Sequence, residues 1–314
     1  MRAVIPFVAG KKQDQIDFWL EVLQAALPDY QVLLFDQVTE AQRAEVEVAI
    51  VADPEPAKLA LLPKLKWVQS LWAGVEGLLA ELPDAGFDIV RMTDPQLAID
   101  MSEAVLAWTL YLHRDMPKYR TQQDSKIWQC HELTLPSKRC VGVLGLGKLG
   151  KVSARRLVDN GFDVCGWSRT KAEIEGVATF AGVDGLVEVL KRSDILIILV
   201  PLTDQTRNLL DEAAFALMPK GAAVINFARG PVINDVALLD TLDHGHLSHA
   251  VLDVFDVEPV PQDSPFWGHG GVTVLPHISA RTNYYTASVI AADNINRFFT
   301  LGEMPEAVNR GQGY

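Results

Sequence analysis

A strand-type segment that runs directly into three spaced glycines places the strongest constraint on how this chain folds. Val141–Leu144 is followed at once by a G-x-G-x-x-G turn and then by a helix-type segment. This order is the dinucleotide-binding fingerprint: Gly145 permits the turn, Gly147 lets the backbone approach a pyrophosphate, and Gly150 lets the helix pack close to the strand. The amides at the start of the helix then hold the phosphates. The predicted cofactor contacts here are Gly145, Leu146, Gly147, Lys148, Leu149 and Gly150.

The turn after the next predicted strand indicates which dinucleotide is bound. Phe162–Trp167 ends at Ser168, Arg169 and Thr170, where an NAD enzyme would carry an acid for the ribose hydroxyls. An acid would repel a 2′-phosphate, whereas Arg169 offers it planar, charged donors. We therefore predict NADPH as the preferred cofactor, with NADH weaker. The alternative is that Arg169 is only a surface residue after a strand.

Composition narrows the classes of partner and compartment. The 314 residues suffice for two domains, and a hydrophobic fraction of 49% disfavours disorder. The formal net charge of −12 argues against nucleic acid as a partner. Cys130, Cys140 and Cys165 form no C-x-x-C pair and read as reduced thiols, so we expect a cytoplasmic protein. The N-terminus reads as a strand rather than a signal peptide, and the longest apolar run, 195–202, is too short to span a membrane.

The order of predicted elements indicates an α/β protein with two domains. Strands and helices alternate before the fingerprint, which predicts a small parallel-sheet domain. The strands after it are continuous apolar runs, as in a Rossmann-type doubly wound sheet covered by helices on both faces. A long helix over 100–119 and a closing helix over 283–300 connect the two parts. We therefore predict a substrate domain of residues 1–99 and 283–314 and a cofactor domain of residues 100–282.

A glycine-containing loop follows one strand of the first domain. Trp72, Ala73, Gly74 and Val75 lie between the predicted strand 67–72 and a helix. Bare backbone amides in such a loop suit the carboxylate of a substrate, with Trp72 beside it. From the residues alone, a ligand-binding loop and a simple turn into the next helix are equally supported.

Polar side chains follow several strands of the second sheet, at the edge where ligands bind in such sheets. Arg229 suits a clamp on a substrate carboxylate and carbonyl, and His277 suits proton transfer near neutral pH. Glu258 beside the imidazole would favour its protonated form and fix its orientation. Each residue alone has an ordinary alternative, as a surface arginine, a turn or a loop. Together they favour reduction of a 2-oxo acid by hydride transfer.

The motifs in combination resemble the D-2-hydroxyacid dehydrogenase family over nearly the whole chain. They are the glycine fingerprint, Asn226–Gly230, Leu252–Pro259 and Pro276–His277, in the family's order. Within the family the chain is most similar to bacterial glyoxylate/hydroxypyruvate reductases of the A type. The segments that support this are Trp167–Thr170, Ala73–Val75, Ser264–Trp267 and the terminal Gly-Tyr314.

The resemblance implies roles for named residues. It implies Arg229 as substrate clamp, His277 as acid/base, Glu258 as its partner and Asp253 beside the nicotinamide carboxamide. It implies a flavodoxin-like first domain and a homodimer built around residues of about 100–138. Further cofactor contacts are Val200, Pro201, Thr206 and Ala228.

The leading hypothesis is an NADPH-dependent reductase of glyoxylate and hydroxypyruvate without a metal. The histidines at 244, 246 and 249 lack the further ligands of a metal site, and a solvated loop is favoured there. One alternative is another family member, such as a D-lactate or phosphoglycerate dehydrogenase, although we expect no long C-terminal regulatory domain of the kind that many phosphoglycerate enzymes carry. The other alternative is a cofactor-sensing interaction protein similar to the corepressors that share this fold.

Overall fold

The structure, a computed structural model, describes residues 2–10 and 13–311. Its internal contacts divide the chain into two units. Unit 1 runs to Gln96 and resumes at Thr282, and unit 2 is Leu97–Arg281. Both are α/β with all-parallel sheets, as predicted.

Unit 1 is a five-stranded sheet with the strand order β2-β1-β3-β4-β5, which is the flavodoxin-like order. Its central strand β3 is entirely apolar and buried, because helices cover both faces. The closing helix α11 packs on α1 and starts at Asn283, whose side chain accepts from two backbone amides at 3.0 and 3.2 Å. The strands are β1 (Val4–Ala9), β2 (Gln31–Leu34), β3 (Val48–Ala52), β4 (Trp67–Ser70) and β5 (Asp88–Val90). The helices are α1 (Gln13–Ala26), α2 (Glu40–Arg43), α3 (Pro56–Leu59), α4 (Glu76–Glu81) and α11 (Tyr284–Leu301).

Unit 2 is a seven-stranded sheet with the order β12-β11-β10-β9-β6-β7-β8. The order reverses between β6 and β9, so the glycine turn after β6 lies at the point where such sheets bind dinucleotides. The strands are β6 (Cys140–Leu144), β7 (Asp163–Ser168), β8 (Val177–Ala181), β9 (Ile195–Ile198), β10 (Ala222–Asn226), β11 (Leu247–Leu252) and β12 (Val272–Val274). The helices are α5 (Pro95–His113), which begins in unit 1, α6 (Met116–Asp124), α7 (Lys148–Asp159), α8 (Gly182–Arg192), α9 (Glu212–Leu217) and α10 (Asp235–Asp243).

The segment predicted as one helix over 100–119 is two helices, so that prediction was wrong. α5 ends at His113, and Asp115 adopts a left-handed conformation with φ of 56°. Pro117 then stands in the first turn of α6, where its missing N–H costs nothing. A left-handed residue followed by proline therefore divides the predicted helix into two.

Nowhere in residues 2–10 and 13–311 is a helix both long and apolar enough to cross a bilayer.

Buried His249 on β11 makes unit 2 sensitive to acid. Its Nε2 lies 2.9 Å from the Thr273 hydroxyl, and burial, with a smaller effect of His269, lowers its pKa from 6.5 to about 4. Between these two values the unfolded chain takes up a proton that the folded chain does not. We expect this difference to remove on the order of 3 kcal/mol of unfolding free energy as the pH falls from 7 to 4.

Urea unfolding of His249→Gln at pH 7 and pH 4 tests this expectation. The variant should lose less stability on acidification than the wild type, because its side chain does not titrate. His244→Gln is the matched control: Asp240 raises the pKa of this exposed histidine, so its removal should not flatten the profile. An equal acid loss in His249→Gln and the wild type would refute the account.

Candidate active site

Two of the three fingerprint glycines are required by the packing of the protein itself. Gly145 has φ of 100°, and a Cβ there would lie 2.7 Å from the Leu199 carbonyl. A Cβ on Gly150 would lie 1.8 Å from the Gly145 oxygen. Both positions therefore exclude larger residues whether or not a ligand binds.

Gly147 differs, because a Cβ there would meet nothing within 4 Å. Its backbone is the N-cap of the twelve-residue helix α7, which directs its first amides outward. Open space in front of bare amides is what a pyrophosphate requires, so these residues fit a dinucleotide. Leu146 is buried in the core, and only its backbone is available to a ligand.

The predicted ribose-side turn is closed by a hydrogen bond. The Ser168 hydroxyl donates to the Thr170 carbonyl at 2.7 Å. Arg169 and Thr170 are both exposed. The turn thus presents a guanidinium at the end of β7, the strand next to β6.

The turn after β9 uses its threonine internally. The Thr206 hydroxyl donates to the Pro201 carbonyl at 2.6 Å and accepts from the Thr203 amide at 2.8 Å. Val200 is buried. The hydroxyl of Thr206 therefore shapes the turn, and contacts from this segment to a cofactor would come mainly from its backbone and Pro201.

The turn that carries Arg229 is held by a buried asparagine. The Asn226 amide nitrogen donates to the Arg229 carbonyl at 3.1 Å, and its amide oxygen accepts from the Ala228 amide at 3.1 Å. Arg229 is half-buried, and its guanidinium donates to the Ala228 carbonyl at 2.7 Å. Asn226 thereby fixes the backbone from which the arginine projects.

His277 and Glu258 are in direct contact. The distance from His277 Nδ1 to Glu258 Oε2 is 2.8 Å, and Glu258 Oε1 accepts from the Phe255 amide at 2.9 Å. The carboxylate is thus tied both to its own loop and to the imidazole, which orients the ring. In the described part of the chain, His277 Nε2 has no hydrogen-bond partner, so this nitrogen is available for a further hydrogen bond.

Asp253 is buried at the end of β11, beside the His277 turn. Its Oδ1 accepts from the Ile278 amide at 2.7 Å and its Oδ2 from the Ser279 amide at 2.8 Å. The backbone amide of Asp253 in turn donates to the Asn226 carbonyl at 3.1 Å. The loops after β10, β11 and β12 are therefore cross-linked where they leave the sheet.

A half-buried carboxylate, Asp235, and a cavity lie near these loops. Asp235, at the start of α10, has a pKa raised to about 6, by burial and then by the nearby Asp256. A cavity of about 430 Å³ borders the His277 turn, lined by residues 278–281 and by side chains of α5 that include Trp108. No group of three or more metal-ligating side chains was found among residues 2–10 and 13–311.

The predicted substrate loop belongs to unit 1. The Ser70 hydroxyl accepts from the Trp72 amide at 3.0 Å, and the Trp72 ring packs edge-on against Trp19. The amides of residues 73–75 donate no hydrogen bond within the described chain. Ala73, Gly74 and Val75 therefore present free donors at the end of β4.

The segment that carries the glycine turn, the exposed arginine after β7 and the histidine–glutamate pair is similar to a known protein family. The family model described as D-isomer specific 2-hydroxyacid dehydrogenase, NAD binding domain, matches residues 106–279. The chain belongs to the D-isomer specific 2-hydroxyacid dehydrogenase family. Its curated relatives include a glyoxylate/hydroxypyruvate reductase A of Yersinia enterocolitica, 38% identical over 88% of each chain.

Solved structures of this dehydrogenase family are similar to the chain over its full length. A family member from Xanthobacter autotrophicus in complex with NADPH and MES is 36% identical, with a TM-score of 0.92 over all of both chains. An NADPH-dependent glyoxylate/hydroxypyruvate reductase from Sinorhizobium meliloti, in complex with NADP and sulfate, is 30% identical. Its TM-score is 0.91 over 99% of this chain and 100% of that one.

Two residues make hydrogen bonds in the candidate site that were not predicted from the sequence. From the sequence, Asn226 is only part of a motif, and Asp253 is predicted only as a contact of the cofactor. A buried polar residue at the end of an apolar strand is the signal that could have revealed both, since such a group needs hydrogen-bond partners nearby.

Proposed function

We propose that this protein is an NADPH-dependent reductase that converts glyoxylate to glycolate and hydroxypyruvate to D-glycerate. The observation that carries the proposal is the 2.8 Å contact between His277 and Glu258, on loops that leave the same sheet as the Arg229 turn. A clamp, a proton donor and its partner are what reduction of a 2-oxo acid requires. NADPH, when bound, supplies the hydride.

His277 would serve as the general acid. With Nδ1 held by Glu258, Nε2 is the ring atom that gives its proton to the substrate carbonyl oxygen as that oxygen gains charge. In the reverse direction the same nitrogen takes the proton from the hydroxyl. Glu258 keeps the ring in one orientation through its contact with Nδ1.

Arg229 would bind the substrate carboxylate and polarise the adjacent carbonyl. Its guanidinium is always charged and offers paired donors in one plane. The free amides of Ala73, Gly74 and Val75, with Trp72 beside them, are proposed as further donors for substrate binding. On this basis we assign substrate binding to the domain of residues 1–99 and 283–314 and cofactor binding to residues 100–282.

The cofactor proposal rests on the turn after β7 and on the NADPH and NADP bound in the related structures. Gly145, Gly147 and Gly150, with the amides of Lys148 and Leu149, would take the pyrophosphate. Arg169, Ser168 and Thr170 would take the 2′-phosphate. Val200, Pro201, Thr206 and Ala228 would line the remainder, and Asp253 would face the nicotinamide carboxamide.

Arg169→Ala tests the cofactor preference. We expect the KM for NADPH to rise about 10- to 100-fold while the KM for NADH changes little, because only NADPH carries the phosphate that the guanidinium binds. Steady-state kinetics with both cofactors measure the change. Lys171→Ala, which removes another exposed cation two residues further along the same loop, is the matched control. Equal changes for the two cofactors in Arg169→Ala would contradict the assignment.

We also propose a homodimer formed through residues of about 100–138. The exposed side chains of this segment include several large apolar groups, and Trp128 is fully exposed at 101%. Several exposed apolar side chains within one segment are a feature of protein–protein contacts. Sedimentation equilibrium should give the mass of two chains. We also propose the cytoplasm as the compartment: the three cysteines are free thiols, and the Cys140 and Cys165 sulfurs share a hydrogen bond at 3.7 Å rather than a disulfide.

A further inference from the structure

We infer that Asp253 is a positioning residue for His277, in addition to any contact with the cofactor. This inference rests on the proposed function for its kinetic consequences, but its structural part stands apart from it. The carboxylate of Asp253 is 2% exposed, so its hydrogen bonds are made to protein groups in a dry environment.

The two bonds that Asp253 makes are specific to the turn that carries the histidine. Oδ1 and Oδ2 accept from the amides of Ile278 and Ser279, the two residues that follow His277. Bonds from amides to an ionised acceptor are among the stronger ones in proteins. The chain immediately after the imidazole is therefore held at two successive points.

The His277 backbone needs such support. It has φ of 53°, a left-handed conformation that residues other than glycine seldom adopt. His277 is also exposed, so little side-chain packing holds it in place. A residue kept in an unfavourable region persists when its surroundings determine it, and here the Asp253 carboxylate supplies that constraint.

The end of β11 also leads into the loop that carries Glu258, the partner of the imidazole. Asp253 is followed by the loop that carries Glu258, and Glu258 Oε1 accepts from the Phe255 amide within that loop. Asp253 thus stands between the two halves of the 2.8 Å pair, bound to the His277 turn by hydrogen bonds and separated from Glu258 by four residues of chain. A change at Asp253 should loosen the imidazole–carboxylate geometry without removing either group.

The test is Asp253→Asn, alone and combined with His277→Gln. Asparagine has the same shape but one acceptor oxygen, so one of the two amides loses its partner. We expect kcat for 2-oxo acid reduction to fall about 10- to 100-fold, the fall expected when an outer partner of a functional group is removed. In the His277→Gln background the same substitution should have little further effect, because it acts through the imidazole.

A second measurement separates positioning from cofactor binding and from the proposed activity. In protein with 15N-labelled histidine, the downfield Nδ1–H resonance of His277 should weaken or shift in Asp253→Asn. Asp256→Asn, in the same loop, should leave it unchanged. Loss of NADPH affinity with an unaltered resonance, or fully additive effects in the double variant, would overturn the inference. Absence of reductase activity in the wild type would refute the proposed function, while the resonance would still decide the role of Asp253.

Discussion

His277→Gln is expected to lower kcat for 2-oxo acid reduction by about 10²- to 10⁴-fold, the usual contribution of a positioned general acid. Glutamine can still form a hydrogen bond with Glu258, but it has no proton to give at neutral pH. Hydride transfer would then leave an alkoxide without its proton donor. Steady-state kinetics with glyoxylate give the fall in kcat, and fluorescence titration gives the NADPH affinity.

The affinity for NADPH should survive in His277→Gln, since the glycine turn and the Arg169 turn are untouched. His244→Gln provides the matched control, because His244 is exposed at the end of α10 and bonds only to Asp240. Turnover in His277→Gln within a few-fold of the wild type would remove His277 from the proposed chemistry.

Arg229→Ala is expected to lower kcat/KM for 2-oxo acids by about 10³-fold or more. The variant loses the charged clamp on the carboxylate and the donor that polarises the carbonyl, each of which acts most strongly where water is excluded. Arg229→Lys should recover only part of this loss, because an ammonium group cannot form the bidentate hydrogen bonds that a guanidinium forms with a carboxylate. Single-turnover rates together with NADPH titrations separate the chemical step from cofactor binding.

Arg155→Ala is the control for the arginine variants, since Arg155 forms only exposed ion pairs with Asp159 and Glu175. It should behave as the wild type. If Arg229→Ala bound and reduced 2-oxo acids normally, the carboxylate clamp would have to lie elsewhere.

The parallel fold was predictable because its signals are local and repeated. Continuous apolar strands such as Ile195–Ile198 predict burial on both faces, and the glycine turn after Leu144 marks the start of the doubly wound sheet. The short edge strands β5 and β8 were missed. Asp88–Val90 has only three residues, and Val177–Ala181 is only half-buried, so neither gives a distinct apolar run.

The candidate site was predictable in its members but not in its connections. Arg229, Glu258 and His277 each follow a strand of one sheet, and parallel strands bring such ends to a common edge. The bonds of Asp253 to the amides of Ile278 and Ser279 depend on the register between β11 and β12, which no single segment encodes. The left-handed backbone at His277 is likewise a result of that register and of the loops around it. The roles of these residues in catalysis stay predictions.

The most direct measurement is the absorbance of reduced nicotinamide on mixing purified protein with NADPH and a panel of 2-oxo acids. Glyoxylate, hydroxypyruvate, pyruvate and bulkier acids would be compared, with NADH in parallel. The account predicts fast oxidation of NADPH with glyoxylate and hydroxypyruvate, and slower oxidation of NADH. Tight binding of NADPH without turnover of any small 2-oxo acid would contradict it, and would instead favour a cofactor-sensing protein.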